Sequence, residues 1–343
     1  MLSRRHLAGL VMALGFSGAG MAVLAVLSKE GRQLASYRQW EYVGLAVLIL
    51  LALWVTDGLR TQALLRLAGN KIGLGKVISI NLATNFVASI TPMGAGGPPA
   101  QTYFLFTQGV KLDQSLAVAI SRLLLTILFF LIAIPLIVFF YWRALAWDSM
   151  LGISIVICFA LIIVGLSFLI FFITHPAKVR SMVSGFLSWP PFRLLKLDKD
   201  RIADQAYEEV IGLNSSLRFL MVGSPAITLM VLIYTLLYWL FFFSLAPVLL
   251  MGLGLNVPVM LTIVRQALIY FVVSYIPVPG GSGVAEIGLA SLFASLVPKI
   301  FLAAFVGGWR VLTFYSNLIF GGIAFARLSN HHHRFDAPLP RGF

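Results

Sequence analysis

Charged side chains inside apolar segments are the residues of this sequence that could do chemistry. Arg122, Arg265 and Arg310 lie within long apolar runs, and Asp57 and Glu286 lie inside or at the end of such runs. A central arginine costs about 2.5–3.5 kcal/mol on membrane-insertion scales, so it usually faces a partner or a polar cavity. Three arginines and two carboxylates leave a net positive interior, which favours a phosphate-like guest. The arginines could instead pair with Glu286 or cap helix carbonyl groups, and the sequence leaves this open.

The two acidic residues also have structural interpretations. Glu286 would lie in the first turn of a helix, where a carboxylate caps N–H groups and is stabilised by the helix dipole. Asp57 precedes Arg60 by three residues, a spacing that predicts an ion pair on the surface of a helix. We therefore predict a site role for Glu286 and a surface pair for Asp57.

A sequence that occurs twice surrounds this chemistry. Residues 86–101 read FVASITPMGAGGPPAQ and residues 271–286 read FVVSYIPVPGGSGVAE. At a fixed offset of 185 they share six identical residues and end on Gln101 and Glu286. Each copy is a Pro/Gly break between apolar stretches of about half a bilayer length. Paired breaks in the two halves of a membrane protein indicate a substrate site near the midplane.

The backbone of the two breaks is expected to face the interior, because irregular backbone at membrane depth must be buried in protein or line a wet cavity. Pro98 and Pro99 suit the first turn of one returning half-helix, and Gly283 would begin the other. The free N–H groups and positive dipole ends of these half-helices would attract an anion. The motif positions are Pro92, Gly94, Gly96, Gly97, Pro277, Gly280, Gly281 and Gly283.

Polar residues at helical spacing predict a lined path next to the breaks. The stripes are Asn81, Asn85 and Ser89, then Gln266, Tyr270 and Ser274, then Arg310 and Asn317. Each stripe could line a cavity or form hydrogen bonds between helices. The predicted substrate-binding residues are Arg122, Arg310, Glu286, Arg265, Gln101, Asn85, Tyr270 and Asn317.

The composition is that of a polytopic membrane protein. The chain has 343 residues, of which 60% are hydrophobic and 11% charged, against roughly 25% charged in soluble domains. The predicted spans are 7–27, 41–58, 114–141, 150–174, 221–250 and 300–326, with broken segments at 77–110 and 259–297. Arg4 and Arg5 resemble a twin-arginine export signal, but the following 21-residue apolar run is long enough for an uncleaved helix. We predict one all-α membrane domain over 1–343, with about six full spans and two re-entrant hairpins.

Basic loops predict the orientation of these elements. The loops 59–76 and 175–219 and the tail 327–343 are rich in Lys and Arg, which places them and both termini on the cytoplasmic side of the inner membrane. Segment 77–110 would then enter from the cytoplasm and segment 259–297 from outside. The halves 41–141 and 226–326 thus form an inverted repeat. Two full crossings per segment would give the same sidedness, but the short arms favour re-entry.

Other features exclude several classes of function. The net charge of +13 follows the positive-inside rule, so we expect no nucleic-acid partner. Cys158 is the only cysteine, which excludes a disulfide or a cysteine-based metal site within one chain. We predict no cofactor and no metal.

The TPMGAGGPPAQ and PVPGGSGVAE elements, the arginine-bearing spans and the overall length resemble the lysylphosphatidylglycerol synthase transmembrane-region family over nearly all of residues 7–326. The resemblance implies a lipid flippase, which in bifunctional members precedes a soluble aminoacyl-transferase domain. In this sequence 17 residues follow position 326, so we expect no synthase activity. Gln101 stands where an acid is common in such motifs, which argues against a paired-acid mechanism.

Together these features predict a protein that moves an anionic-head-group lipid between leaflets and is not an enzyme. The head group would enter a polar cavity while the acyl chains stay in lipid. Arg122 and Arg310 would hold the phosphate, and Glu286 would balance them or contact a cationic head group. The alternatives are an intramembrane lipid-phosphate transferase and a non-transporting structural or regulatory protein. Expected partners are membrane lipids, a separate lipid-modifying enzyme and a second copy of the chain.

Overall fold

The computed structural model describes residues 40–141, 149–188 and 199–332; the predicted first span, 7–27, lies outside them. These residues form α-helices and one π-helical segment, without a strand. The helices are α1 Trp40–Leu67, α2 Leu74–Ser89, α3 Gly97–Phe106, α4 Leu112–Tyr141, α5 Ser149–Thr174, α6 Pro176–Leu187, α7 Lys199–Val222, α8 Pro225–Gly252, α9 Val259–Ser274, α10 Val284–Phe293, α11 Lys299–Arg310 and α12 Ser316–His332, with the π-helical Val311–Tyr315 between α11 and α12.

The prediction of an all-α polytopic membrane protein is confirmed. Within the described ranges, five stretches are long and apolar enough to cross a membrane: Glu41–Leu67, Leu112–Tyr141, Gly152–Thr174, Pro225–Gly252 and Lys299–Asn330. The predicted end of the first of these, at residue 58, was wrong. Helix α1 continues to Leu67 because Leu64, Leu65 and Leu67 are buried and the chain leaves the helix only at Gly69, whose φ is positive. Arg60 and Arg66, predicted in a loop, are therefore helical.

The two halves of the chain repeat the same helices. Helices α1 and α8 have 28 residues each and start 185 positions apart, and α2 and α9 have 16 residues each at the same offset. Helices α3 and α10 have 10 residues each. At 1.5 Å per residue these arms are about 24 and 15 Å long, short of the hydrocarbon thickness of about 30 Å. The lengths support re-entrant hairpins, and the opposite orientation of the halves stays a prediction.

The two hairpin breaks meet. An antiparallel backbone bridge joins Pro92 of the first break to Pro279 of the second, while α1 packs along α8 and α2 packs along α12. The last span changes from α to π geometry at Val311–Tyr315, directly after Arg310, and π turns are frequent at functional sites. This packing brings polar residues of both halves to one place.

The polar region predicted at 175–219 contains α6 and α7, which pack together. An ion pair joins Arg180 Nε to Asp204 Oδ1 at 2.5 Å, with both side chains more than half exposed. Its hydrogen bond raises the pKa of Arg180. On α7, burial and the charge of Asp113 raise the pKa of Glu209. These helices attach to the cytoplasmic end predicted for α4 and do not reach the cavity described below.

The orientation of the hairpins predicts a labelling pattern. Lys71 precedes the first hairpin and Asn256 precedes the second, and both are exposed. In a Cys158→Ala background, Lys71→Cys should react with a membrane-impermeant thiol reagent from the cytoplasmic side and Asn256→Cys from the outside, because the predicted topology has the hairpins entering from opposite faces. Both should react after permeabilisation. Labelling of both from one side of intact vesicles would refute the inverted repeat.

Candidate functional site

A cavity of about 240 Å³ lies between the two breaks. Its walls come from α2, α8, α9, the last span and the backbone of both breaks. The polar side chains that line it are Asn85, Ser89, Tyr238, Tyr270, Ser274, Arg310, Thr313 and Asn317. Of the described residues that line the cavity, Arg310 is the charged one. The cavity thus has polar side chains and one arginine in its wall, inside an apolar fold.

Glycines of the breaks shape the cavity wall. Gly94 and Gly280 both line it and have φ of 66° and 61°, values that favour glycine. A Cβ at Gly280 would also clash with the ring of Phe314. Met93 adopts a φ of 54° without being a glycine and lies on the cavity surface. Gly94 and Gly280 thus give the wall a backbone shape that favours glycine, and the predicted role of the Pro/Gly sequences in a site stays a prediction.

Arg310 and Glu286 form a buried network that holds the second break. Arg310 Nε lies 2.9 Å from Glu286 Oε1. Arg310 also donates to Gly280 O at 3.1 Å and Ser282 Oγ at 3.0 Å, and its guanidinium lies 3.9 Å from the centroid of the Phe314 ring. Glu286 Oε2 accepts a 2.7 Å hydrogen bond from Gly283 N–H. Glu286 is thus a helix cap and an ion-pair partner at once.

Asp57, Arg60 and Arg122 form a second buried network. Arg60 Nη2 lies 2.6 Å from Asp57 Oδ1, and Arg122 Nη2 lies 2.5 Å from Asp57 Oδ2. Asn81 also donates to Asp57 Oδ2 at 3.0 Å. Asp57 and Arg60 are each 2% exposed, so the predicted surface pair was wrong: the pair exists, but α2, α4 and α8 cover this side of α1. One sequence signal could have revealed the burial of this pair: Arg122 lies in an apolar span with no acidic residue close to it in the sequence, so it needs a distant partner.

Amides at matching positions tie the hairpins to α1 and α8. Asn81 Nδ2 donates to Asp57 O at 3.0 Å, and Gln266 Nε2 donates to Phe242 O at 3.0 Å. The two donors are 185 residues apart in the sequence, and so are the two acceptors. Gln101 donates to Asn81 Oδ1 at 3.3 Å. In the polar stripes, Asn81 and Gln266 therefore make the helix–helix hydrogen bonds, and the remaining members lie on the cavity.

The predicted binding residues separate into two groups. Arg310, Asn85, Tyr270 and Asn317 line the cavity, and their role in binding stays a prediction. The other four, which are Arg122, Glu286, Gln101 and Arg265, do not line it and bind other groups of the protein. Arg265 donates to Leu292 O at 2.5 Å and Ser295 Oγ at 2.8 Å, so it caps the carbonyl end of α10. The sequence analysis did not select Arg60 or Tyr238 as site residues. Arg60 was assigned to the loop 59–76, and Tyr238 looks like an ordinary aromatic residue of an apolar span.

The expectation of free N–H donors at the half-helix starts was wrong for α3. Pro98 and Pro99 have no N–H group, and the N–H groups of Gly97 and Ala100 donate to backbone carbonyls at 2.9 and 3.1 Å. Gly96 N–H donates to Thr91 Oγ1 at 3.0 Å. The proline pair that fits the first turn of the helix also removes its anion-binding donors. Side chains must supply them instead.

Comparison with known proteins gives two matches. The family model described as "Lysylphosphatidylglycerol synthase TM region" matches residues 7–321. A protein described as "UPF0104 membrane protein" from Archaeoglobus fulgidus is 26% identical over 286 residues, which cover 83% of this chain and 86% of that protein. No solved structure matches the chain.

The buried networks predict unequal effects of two substitutions at repeat-related positions. Glu286→Gln should destabilise the protein by about 3–5 kcal/mol, because it leaves the guanidinium of Arg310 buried without its counter-charge. Gln101→Ala is the matched control, and it should cost only about 0.5–1.5 kcal/mol because it removes one neutral hydrogen bond. Unfolding of the purified proteins by denaturant in detergent measures both. Similar, mild losses would show that the Glu286 charge does not matter.

Proposed function

The chain belongs to the lysylphosphatidylglycerol synthase transmembrane-region family, and we propose that it moves a lipid with an anionic head group between the leaflets of the inner membrane without changing it chemically. The observation that carries the proposal is the polar cavity between the two breaks, with Arg310 in its wall. A buried arginine beside a cavity in a membrane protein marks a path for a charged guest.

The size of the cavity favours a head group over a whole lipid. Pockets for drug-sized ligands are about 300–1,000 Å³, and this one is about 240 Å³. Outside it, large apolar side chains such as Ile319 and Phe320 on α12 and Leu236 on α8 are exposed, as expected of surfaces that face lipid. The acyl chains would stay against such surfaces while the head group occupies the cavity.

Arg310 would couple binding to movement of the second break. Its guanidinium now holds Gly280, Ser282 and Glu286. A phosphate is a strong acceptor for arginine, so it would compete for these donors and loosen the break. Because Pro279 in this break bridges Pro92 in the other, the change would reach the first half. Alternating opening around a fixed site is the general scheme for transporters with inverted repeats.

The cellular setting follows from the same proposal. The basic loops favour an inner-membrane protein with both termini in the cytoplasm. A separate enzyme would make or modify the lipid, since a flippase acts on a finished molecule. A second copy of the chain is a further candidate partner.

Filling the cavity should stop transport. Thr313 lines the cavity and Val311, two residues earlier in the same π segment, is 54% exposed. Thr313→Trp should abolish translocation of a fluorescent phospholipid in proteoliposomes, because the indole occupies the space of the head group. Val311→Trp is the control and should transport at the wild-type rate, since it points to lipid.

Both tryptophan variants should melt close to the wild type, which separates a blocked cavity from a misfolded protein. Wild-type transport by a well-folded Thr313→Trp protein would contradict the proposal. Conversion of the added lipid into a product of different mass would instead favour the enzyme alternative.

A further inference from the structure

We infer that Arg60, behind Tyr238, forms a second phosphate-binding station in the first half of the protein. The inference rests on the proposed function in that the phosphate is taken to be the lipid head group. It concerns a residue outside the described cavity lining, on α1, and it adds to Arg310 a second arginine that a phosphate could reach.

The first observation is that Arg60 has unused donors. Its Nη2 pairs with Asp57, but Nε and Nη1 are buried and have no hydrogen-bond partner among the described residues. The residue as a whole is 2% exposed. Leaving buried polar groups unpaired is costly, more so for charged ones, so a buried guanidinium with two free nitrogens indicates a missing acceptor.

The second observation is the charge of this network. Asp57 is the one carboxylate against two guanidinium groups, and both of its oxygens are already engaged, by Arg60 and Arg122. The three side chains therefore carry a net charge of +1, with Asp57 and Arg60 buried and the Arg122 side chain 12% exposed. Buried charges are normally compensated. An anion beside Arg60 would supply both the missing charge and the missing acceptor.

The third observation is that the second half has no ion pair at the equivalent positions. The positions 185 residues after Asp57 and Arg60 are Phe242 and Leu245, in the equivalent helix α8. Leu245 is fully buried there. A buried leucine thus occupies the equivalent position in the second half, which supports a role for Arg60 beyond packing.

The station lies one side chain away from the cavity. The Tyr238 ring lines the cavity, and its centroid is 4.8 Å from Arg60 Cζ. The same side chain therefore contacts Arg60 and forms part of the cavity wall. Rotation of this side chain would expose the guanidinium, and a phosphate released by Arg310 would find its next partner there. The ring–cation contact closes the station when it is empty.

The test reads the environment of Tyr238 directly. Full-length protein carrying 3-fluorotyrosine at position 238 is titrated in detergent with dihexanoyl phosphatidic acid, followed by ¹⁹F NMR. Dihexanoylglycerol is the phosphate-free control, and inorganic phosphate is a separate arm. Phosphatidic acid should shift the resonance as the ring leaves Arg60, and dihexanoylglycerol should not. A shift with inorganic phosphate alone would assign the station to free phosphate.

The matched variant is Arg60→Leu, which copies the second half. Because Asp57 keeps Arg122, the remaining pair is neutral, and the variant should melt no lower than the wild type. Its phosphate-dependent shift should be lost or need at least about tenfold more ligand, the loss expected for charge-assisted hydrogen bonds. An unchanged titration in Arg60→Leu, or no shift in the wild type at saturating phosphatidic acid, would overturn the inference.

A second variant tests the position of the ring. Tyr238→Leu removes the side chain that covers Arg60, so phosphatidic acid should bind more tightly by calorimetry, because no contact must be broken first. Weaker binding would contradict the covering role. Lipid translocation by the wild type is measured in parallel. Transport without the fluorine shift would support the proposed function and contradict the binding station at Arg60. A fluorine shift without transport would support the station and contradict the proposed function.

Discussion

Charge compensation inside an apolar fold is the constraint on which this structure depends. Two carboxylates, Asp57 and Glu286, hold three arginines away from water. Removing the last counter-charge of a buried group costs far more than removing an ordinary hydrogen bond. Each network joins separate elements: Arg310 ties the last span to the second hairpin, and Arg122 ties α4 to α1. The Glu286 network therefore holds the second break, and the Asp57 network holds α1, α2 and α4 together.

The repeat is matched in helices but not in charge. Offsets of 185 relate α1 to α8 and α2 to α9, and the amide ties of Asn81 and Gln266 correspond across them. The acids do not correspond, because Glu286 matches Gln101 and Asp57 matches Phe242. The Glu286 network pairs one acid with one arginine, whereas the Asp57 network has one arginine in excess. The two halves of the repeat thus differ in buried charge.

Much of this architecture was predictable because its determinants are local in the sequence. Apolar runs locate the spans, and the Pro/Gly sequences locate the breaks and the glycines with positive φ. Arg310 and Glu286 were identified because charged residues in apolar segments are rare. The Asp57 network was misassigned because an i,i+3 pair near a span end has the same pattern on a surface as in a core, and its third member, Arg122, is 65 residues away. The sequence gives no signal for Tyr238, because its contact with Arg60 arises only from the packing of α8 against α1.

The central claim is that the cavity between the two breaks receives a lipid head group. Photo-crosslinking tests it most directly, with p-benzoylphenylalanine in place of Tyr270, which lines the cavity, and in place of Ile319, which is 58% exposed on α12. Mass spectrometry then identifies the adducts formed in native membranes. We expect position 270 to crosslink a phospholipid through its head group and position 319 to crosslink acyl chains only. The absence of lipid adducts at position 270, or adducts identical to those at position 319, would contradict the account.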